Sequence, residues 1–437
     1  MQNSSVHTLE TVLYFTLLQL ILIVASARLF GWVARRLGQP RAVGEIVAGL
    51  VLGPSLFAAL APGAFAYVFK STDGMALSII SQVGLILLML QVGMEFDFGH
   101  LKPRGKRAAM VMVSLAGIVA PFSLGVAIGW VSAPILAPGI NPLAYTLFCG
   151  VALSITAMPI LGRIMIEYDL TRTPLGAITI SAAAVDDVIG WTLLAAVAAA
   201  AVGGFSLEGT GTRILLLVAY VALSFLVVRK LLHALLDRID RRAARNGDGN
   251  GTAGALDANA MALVLAFAFA SAIATFKLGV FAIFGGFIIG VLLHDRERLV
   301  AAWRLQVAPF VTVFFLPVFF TFTGLRTNVQ GLDSLDLWLW CAAFMALAYL
   351  GKYGGCYLGA RLAGVPKHEA KAIAIMMNTR ALMELVVLNV GYDLGVIPQN
   401  VFTMLVIMAL VTTVTTAPLL RYWLPKIGHA IPAHRDA

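Results

Sequence analysis

Two aspartates stand side by side within the apolar stretch 173–203, in the segment Ser181-Ala-Ala-Ala-Val-Asp186-Asp187-Val-Ile-Gly190-Trp191. An ionisable residue in the middle of an apolar helix costs about 3 kcal/mol or more, so it marks a place where an ion is bound or relayed. Successive residues on a helix point about 100° apart. The two carboxylates therefore need not share one environment: one can be held by a cation from another helix while the other faces a water-filled cavity. The bland alternative pairs both with basic groups for packing alone, which is poor energetics. A charge partner is available in Lys352, within Tyr349-Leu-Gly-Lys352-Tyr-Gly-Gly355, far from either end of its apolar run. A buried lysine either gains and loses a proton in the course of function or forms a static ion pair.

Two further stretches place polar groups at the same depth. Ala152-Leu-Ser154-Ile-Thr156-Ala-Met-Pro159 contains a proline that breaks the hydrogen-bond ladder, with hydroxyls nearby to replace it. Met377-Asn378-Thr379-Arg380-Ala-Leu-Met-Glu384 is its counterpart further along the chain. Interrupted helices in corresponding positions of two halves mark a transport site, because unwound carbonyls and helix ends supply oxygens and balancing charge. Ser154, Thr156, Asn378 and Thr379 are accordingly candidates to line it. Arg380 and Glu384, four apart on one face, suit a structural ion pair or an end cap better than direct ion contact.

The elements that position these groups must cross a bilayer. Of 437 residues, 60% are hydrophobic and 12% are charged, where a soluble chain has roughly a quarter charged. A span needs roughly 20 apolar residues. Runs of that kind fall at about 11–35, 43–62, 75–96, 108–131, 142–166, 173–203, 213–236, 259–276, 279–294, 303–324, 335–361, 368–392 and 400–424. The chain reads as an all-α polytopic membrane protein of about 13 transmembrane helices, one domain over 1–437 with no soluble regulatory domain. The net charge of +9 does not imply nucleic acid, because the basic residues sit in short loops. Of the 31 lysines and arginines, Arg28, Lys352 and Arg380 lie inside spans, and Lys70, Arg213, Lys277 and Arg326 fall on one side. The other 24 fall on the opposite side, which predicts an N-terminus outside and a C-terminus in the cytoplasm of the inner (plasma) membrane.

The longest polar break, 237–257, is Gly/Asn/Asp-rich and predicts a flexible cytoplasmic loop. It follows a linker helix, 213–236, between a first six-helix repeat at 11–203 and a second at 259–424. Span n corresponds to span n+7, and an odd offset inverts the halves. Gly286 with Gly290, and Gly351 with Gly355, permit close helix packing. Cys149, Cys341 and Cys356 show no disulfide or zinc spacing, and Met1 to Glu10 does not read as a removable signal. No Walker A, dinucleotide or HExxH motif points to an enzyme or a cofactor.

With these residues in place, the sequence resembles, over nearly its whole length, the Kef/Nap/CHX-type branch of the monovalent cation:proton antiporters. Its most specific pieces are Ala183 to Trp191, Gly285-Gly-Phe-Ile-Ile-Gly290, Leu316-Pro-Val-Phe-Phe-Thr-Phe-Thr-Gly324 and Asn378 to Asn389. The resemblance implies the sodium/proton antiporter fold: inverted repeats of six with two broken, crossing helices beside the aspartates. It also implies a homodimer in the lipid bilayer and elevator-type alternating access. Carried over by position, Asp187 is the carboxylate that takes the transported monovalent cation or a proton, and Asp186 is the neighbour paired with Lys352. Ser154 and Thr156 lie on the crossing helix that helps line the site. In the family an Asp-Asp pair with this lysine accompanies electrogenic exchange, often of sodium, whereas the Asn378 to Asn389 signature is nearer potassium-associated members. The expected function is secondary active exchange of Na+ or K+ for protons, with no cofactor. The nucleotide-binding domain of Kef channels has no counterpart in this chain. A channel-like or weakly coupled cation transporter of the same fold is the alternative. An organic-anion symporter would favour a basic midplane site, and an intramembrane aspartyl protease needs its aspartates on separate helices.

Overall fold

Backbone amides have no water to bond in a bilayer core, so long apolar runs satisfy them internally as helix. The computed structural model describes residues 2–72, 74–95, 107–170, 173–202, 207–245, 257–278 and 281–429, and among these there are helices and no strand. In chain order the first are α1 (Gln2–Arg36), α2 (Arg41–Leu52), α3 (Met75–Met94), α4 (Arg107–Leu136), α5 (Pro142–Ser154), α6 (Met158–Glu167) and α7 (Pro174–Val202). Then come α8 (Leu207–Leu223), α9 (Arg229–Arg245), α10 (Ala258–Lys277), α11 (Ala282–Leu293), α12 (Glu297–Gln306) and α13 (Leu316–Arg326). The last are α14 (Leu335–Tyr349), α15 (Gly355–Leu362), α16 (Lys367–Met377), α17 (Ala381–Asp393) and α18 (Gln399–Trp423). Single π-helical turns join α8 to α9 (Ser224–Val228) and α14 to α15 (Leu350–Gly354).

Among the described residues, ten helices are long and apolar enough to cross a membrane, or eleven if the pair α16 and α17, bent by 43°, counts as one span. Length and composition therefore do not reach the expected thirteen. The shortfall lies at the runs 142–166 and 279–294, where α5 has 13 residues and α11 has 12. The first of these runs is cut in two by its own break. The loop expected at 237–257 is helical as far as Arg245, because Leu232, Leu236 and Ile239 recur on one face and pack inward; its remainder, 246–256, lies outside the described residues.

The chain divides into two compact units. One comprises Met1–Val24, Ala66–Asp97 and Ala198–Phe322. Its core gathers Leu90, Leu232, Leu236, Val264, Leu292 and Trp303. Here α11 lies directly on α3: a Cβ added at Gly290 would stand 2.2 Å from the Leu90 carbonyl oxygen, and one at Gly286 would stand 2.4 Å from that of Ile86. The other unit comprises Ala25–Phe65, Phe98–Val197 and Thr323–Ala437 and holds every candidate residue. In it a Cβ at Gly355 would meet the Ala116 carbonyl oxygen of α4 at 2.4 Å. Both glycine spacings thus serve close helix contacts within one chain, the use that small residues have between membrane helices.

Candidate ion-binding site at two helix breaks

Pro159 has no N–H to give to the Ile155 carbonyl, and Ile155 is extended (φ −73°, ψ 143°), so α5 stops at Ser154 and α6 starts anew at Met158. Asn378 and Thr379 stand between α16 and α17, which end at Met377 and start anew at Ala381. The two breaks touch. The Ala157 N–H donates to the Thr379 carbonyl at 2.9 Å, and Thr156 Oγ1 lies 3.3 Å from the Met377 carbonyl oxygen. A broken helix leaves carbonyls unpaired at its negative end. At the end of α5 they are met by cations: Arg380 Nη1 donates to Ala152 O at 2.9 Å, Arg380 Nη2 to Leu153 O at 2.6 Å, and Lys352 Nζ to Ser154 O at 2.5 Å.

Beside the breaks, α7 carries the aspartates, 1% (Asp186) and 3% (Asp187) exposed. Asp186 is fully engaged. Its Oδ1 accepts from Ser114 Oγ on α4 at 2.7 Å, and its Oδ2 accepts from Lys352 Nζ at 2.7 Å and from Thr156 Oγ1 at 3.1 Å. Lys352 itself has no exposed surface and sits in the π turn Leu350–Gly354. Such a turn inserts one residue into the helical register and re-aims a side chain, and it recurs at functional sites. Asp187 is the opposite case: neither carboxylate oxygen has a protein hydrogen-bond partner. A buried carboxylate in that position is held neutral by a proton or is balanced by a cation, since a bare charge in apolar surroundings is prohibitively costly.

A family model described as the transmembrane sodium/hydrogen exchanger matches residues 22–422. The chain belongs to the sodium/hydrogen exchanger family. The exchanger is 37% identical over 419 residues to the Na(+)/H(+) antiporter NhaS4 of Synechocystis sp., a match covering 95% of this chain and 99% of that one. It is 32% identical over 413 residues to cation/H(+) antiporter 18 of Arabidopsis thaliana, covering 94% of this chain and 49% of the relative, so it spans about half that protein's length. The solved structure of the sodium proton antiporter MjNhaP1 from Methanocaldococcus jannaschii aligns with a TM-score of 0.60 at 14% identity, covering 97% of this chain and 99% of that one. That likeness shows a shared fold. The family is one of cation/proton antiporters, which are transporters rather than enzymes and use no cofactor. The exchanger is a multi-pass membrane protein.

Within the exchanger the remaining candidates fall into distinct places. The Ser154 hydroxyl turns back to Val151 O at 2.8 Å, so its carbonyl, not its hydroxyl, faces Lys352. Asn378 Oδ1 is buried with no protein donor, and Thr379 Oγ1 lies 3.3 Å from Thr416 Oγ1 on α18. Arg380 and Glu384 approach only to 3.5 Å, and Glu384 Oε1 has no partner; the shorter bonds of Arg380 go to α5. Ser114 was not among the residues singled out from the sequence, because one serine in Val111-Met-Val-Ser114-Leu carries no one-dimensional signal.

Proposed function

We propose that the exchanger carries a monovalent cation, Na+ or K+, against protons, with Asp187 as the group that takes one or the other. The observation that carries this reading is the contrast on α7: the carboxylate of Asp186 is already committed to three donors, Ser114, Thr156 and Lys352, while Asp187 is buried with no donor at all. Competition between a dehydrated cation and a proton for one carboxylate couples the two flows without a nucleotide. Thr156, Asn378 and Thr379, at the two breaks, supply further oxygens. The relatives are named for Na(+)/H(+) and cation/H(+) exchange, which keeps both cations in view.

The finer parts of the proposal rest on the same pattern. An arriving cation competes with Lys352 for the aspartates, and Lys352 then releases a second proton, making the exchange electrogenic. Two breaks in corresponding spans support inverted repeats, 11–203 and 259–424, around the linker 213–236, with elevator-type movement and a homodimer. The 24-to-4 division of basic residues supports a plasma-membrane protein with its N-terminus outside. In a cysteine-free background, a cysteine at Ser334 is then labelled from outside intact cells; protection there contradicts the orientation.

The test of the function is proton flux in liposomes with an internal pH dye, challenged in turn with sodium, potassium, rubidium and lithium. Wild type moves protons in response to its cation. Asp187→Asn inserts normally and moves none. Robust exchange by that variant would sink the assignment.

A further inference from the structure

α8, the π turn Ser224–Val228 and α9 follow one another without a break from Leu207 to Arg245. One side of this rod is apolar and open: Leu223, Leu226 and Val227 are 52%, 65% and 53% exposed, as befits a surface that lipid covers. The opposite side of α9 sends Leu232 and Leu236 into the core with Leu292 and Trp303. Further along, the open side turns basic. Lys230, Arg238 and Arg242 are exposed and, with Ala234, recur at intervals of four, so they share one face. Among the described residues none of the three has a side-chain partner, and Arg241 beside them donates Nε to its own helix at Asp237 O, 3.0 Å away.

The carboxylates nearest this stripe are engaged elsewhere or outnumbered. α9 has two, Asp237 and Asp240. Asp237 Oδ1 is turned to Arg296 Nη1 at 2.7 Å, and Asp295 holds Arg229 Nη2 at 2.6 Å, both on the inward side. Asp240 alone is left among the four outward cations Lys230, Arg238, Arg241 and Arg242. A helix rises about 1.5 Å per residue, so if the apolar surface ends near Leu231, Arg238 stands about 11 Å beyond it, and its long side chain can reach back. The headgroup layer is about 5–8 Å deep on each side, so Lys230 stands at its inner edge and Arg238 reaches back into it.

We propose that the face of Lys230, Arg238 and Arg242 binds anionic phospholipid headgroups of the adjoining leaflet. The charge complementarity is specific to a negatively charged lipid: the stripe has positive charge in excess, and the apolar surface running into it receives the acyl chains of the same molecules. A free phosphate would use the cations but not the apolar strip.

The test uses the full-length protein in detergent, with phosphatidylglycerol or phosphatidylcholine added, reading lipid retained through gel filtration and the rise in Tm. Wild type retains phosphatidylglycerol and gains several degrees with it, and phosphatidylcholine does neither. Lys230→Gln/Arg238→Gln/Arg242→Gln weakens the apparent affinity for phosphatidylglycerol about tenfold or more. A control, Lys277→Gln/Arg298→Gln/Lys367→Gln, removes equal charge elsewhere and keeps wild-type binding. The proposal is overturned if the first variant binds as wild type does, if the control loses as much, or if glycerol phosphate raises Tm equally.

Discussion

The two helix breaks cross, yet their electrostatics are opposite. At the end of α5 three successive carbonyls, those of Ala152, Leu153 and Ser154, each receive a bond from a cationic side chain. At the end of α16 no cation among the described residues meets the Met377 carbonyl, which has the neutral hydroxyl of Thr156 3.3 Å away, and Asn378 Oδ1 beside it has no donor. Arg380 belongs by sequence to the second break and yet serves the first. Fixed positive charge is thus gathered at one negative helix end, and the other keeps oxygens free. The same division separates Asp186, saturated by Lys352, Ser114 and Thr156, from Asp187, which has no partner. A site that handles a mobile cation needs both conditions: a permanent charge to hold the scaffold and an uncommitted carboxylate to accept the ion.

The largest expected loss follows Lys352→Gln. It leaves Asp186 buried without its cation and α5 without one cap, which costs about 3–5 kcal/mol when one partner of a buried pair is removed. The variant that reaches the membrane still exchanges ions through Asp187, but its rate no longer follows an imposed membrane potential. Proton flux in voltage-clamped liposomes reads this, and equal responses of variant and wild type would reduce Lys352 to a structural pair.

Arg380→Gln comes next. It orphans the Ala152 and Leu153 carbonyls, at about 1–3 kcal/mol for each buried acceptor left unmet. Glu384→Gln is the control that sharpens the comparison, because the 3.5 Å contact of Glu384 with Arg380 is long. Thermal unfolding in detergent should show the arginine variant much less stable than the glutamine variant at 384. Equal losses would mean that the Arg380–Glu384 pair, and not capping of α5, is what the arginine provides.

The smallest effect belongs to Ser114→Ala, which removes one hydrogen bond at 2.7 Å to Asp186 Oδ1, about 1.5–3 kcal/mol for a bond to a charged acceptor. Because Lys352 and Thr156 remain on the other oxygen, exchange should persist with reduced thermal stability. Abolished exchange in a well-folded Ser114→Ala protein would show that the saturation of Asp186 is finer than the geometry implies.

Much of this site was legible in one dimension. A charge inside an apolar run is conspicuous at any distance from its partner, so Asp186, Asp187, Lys352, Arg380 and Glu384 were found without a fold. Pro159 and the Asn378-Thr379 pair marked both breaks for local chemical reasons. The resemblance already pairs Asp186 with Lys352, but the carbonyl partners were not legible, because they come together only in three dimensions: 198 residues separate Lys352 from the Ser154 carbonyl, and 227 separate Arg380 from that of Leu153. For Arg380 the sequence offers a pair with the neighbour at i+4 or an end cap, and only tertiary packing shows that the end it caps is that of α5. The count of thirteen spans is not confirmed by length and composition, since α5 and α11 are too short to be judged by length. The extension of α9 into the expected loop was readable in the recurrence of Leu232, Leu236 and Ile239, which its many charges obscured.

The central claim is that Asp187 holds a proton or a cation and never both. Its most direct measurement is proton release on ion binding by purified, weakly buffered protein at constant volume, followed with a pH dye as sodium or potassium chloride is added. Wild type should release protons in proportion to cation bound and stop when its site is full, with choline chloride as the inert control. Asp187→Asn should release none above that control, while keeping the thermal stability of wild type or exceeding it, since no buried charge remains there to be balanced. Cation-induced proton release of wild-type size from the Asp187→Asn protein would contradict the account and place the exchange on another group.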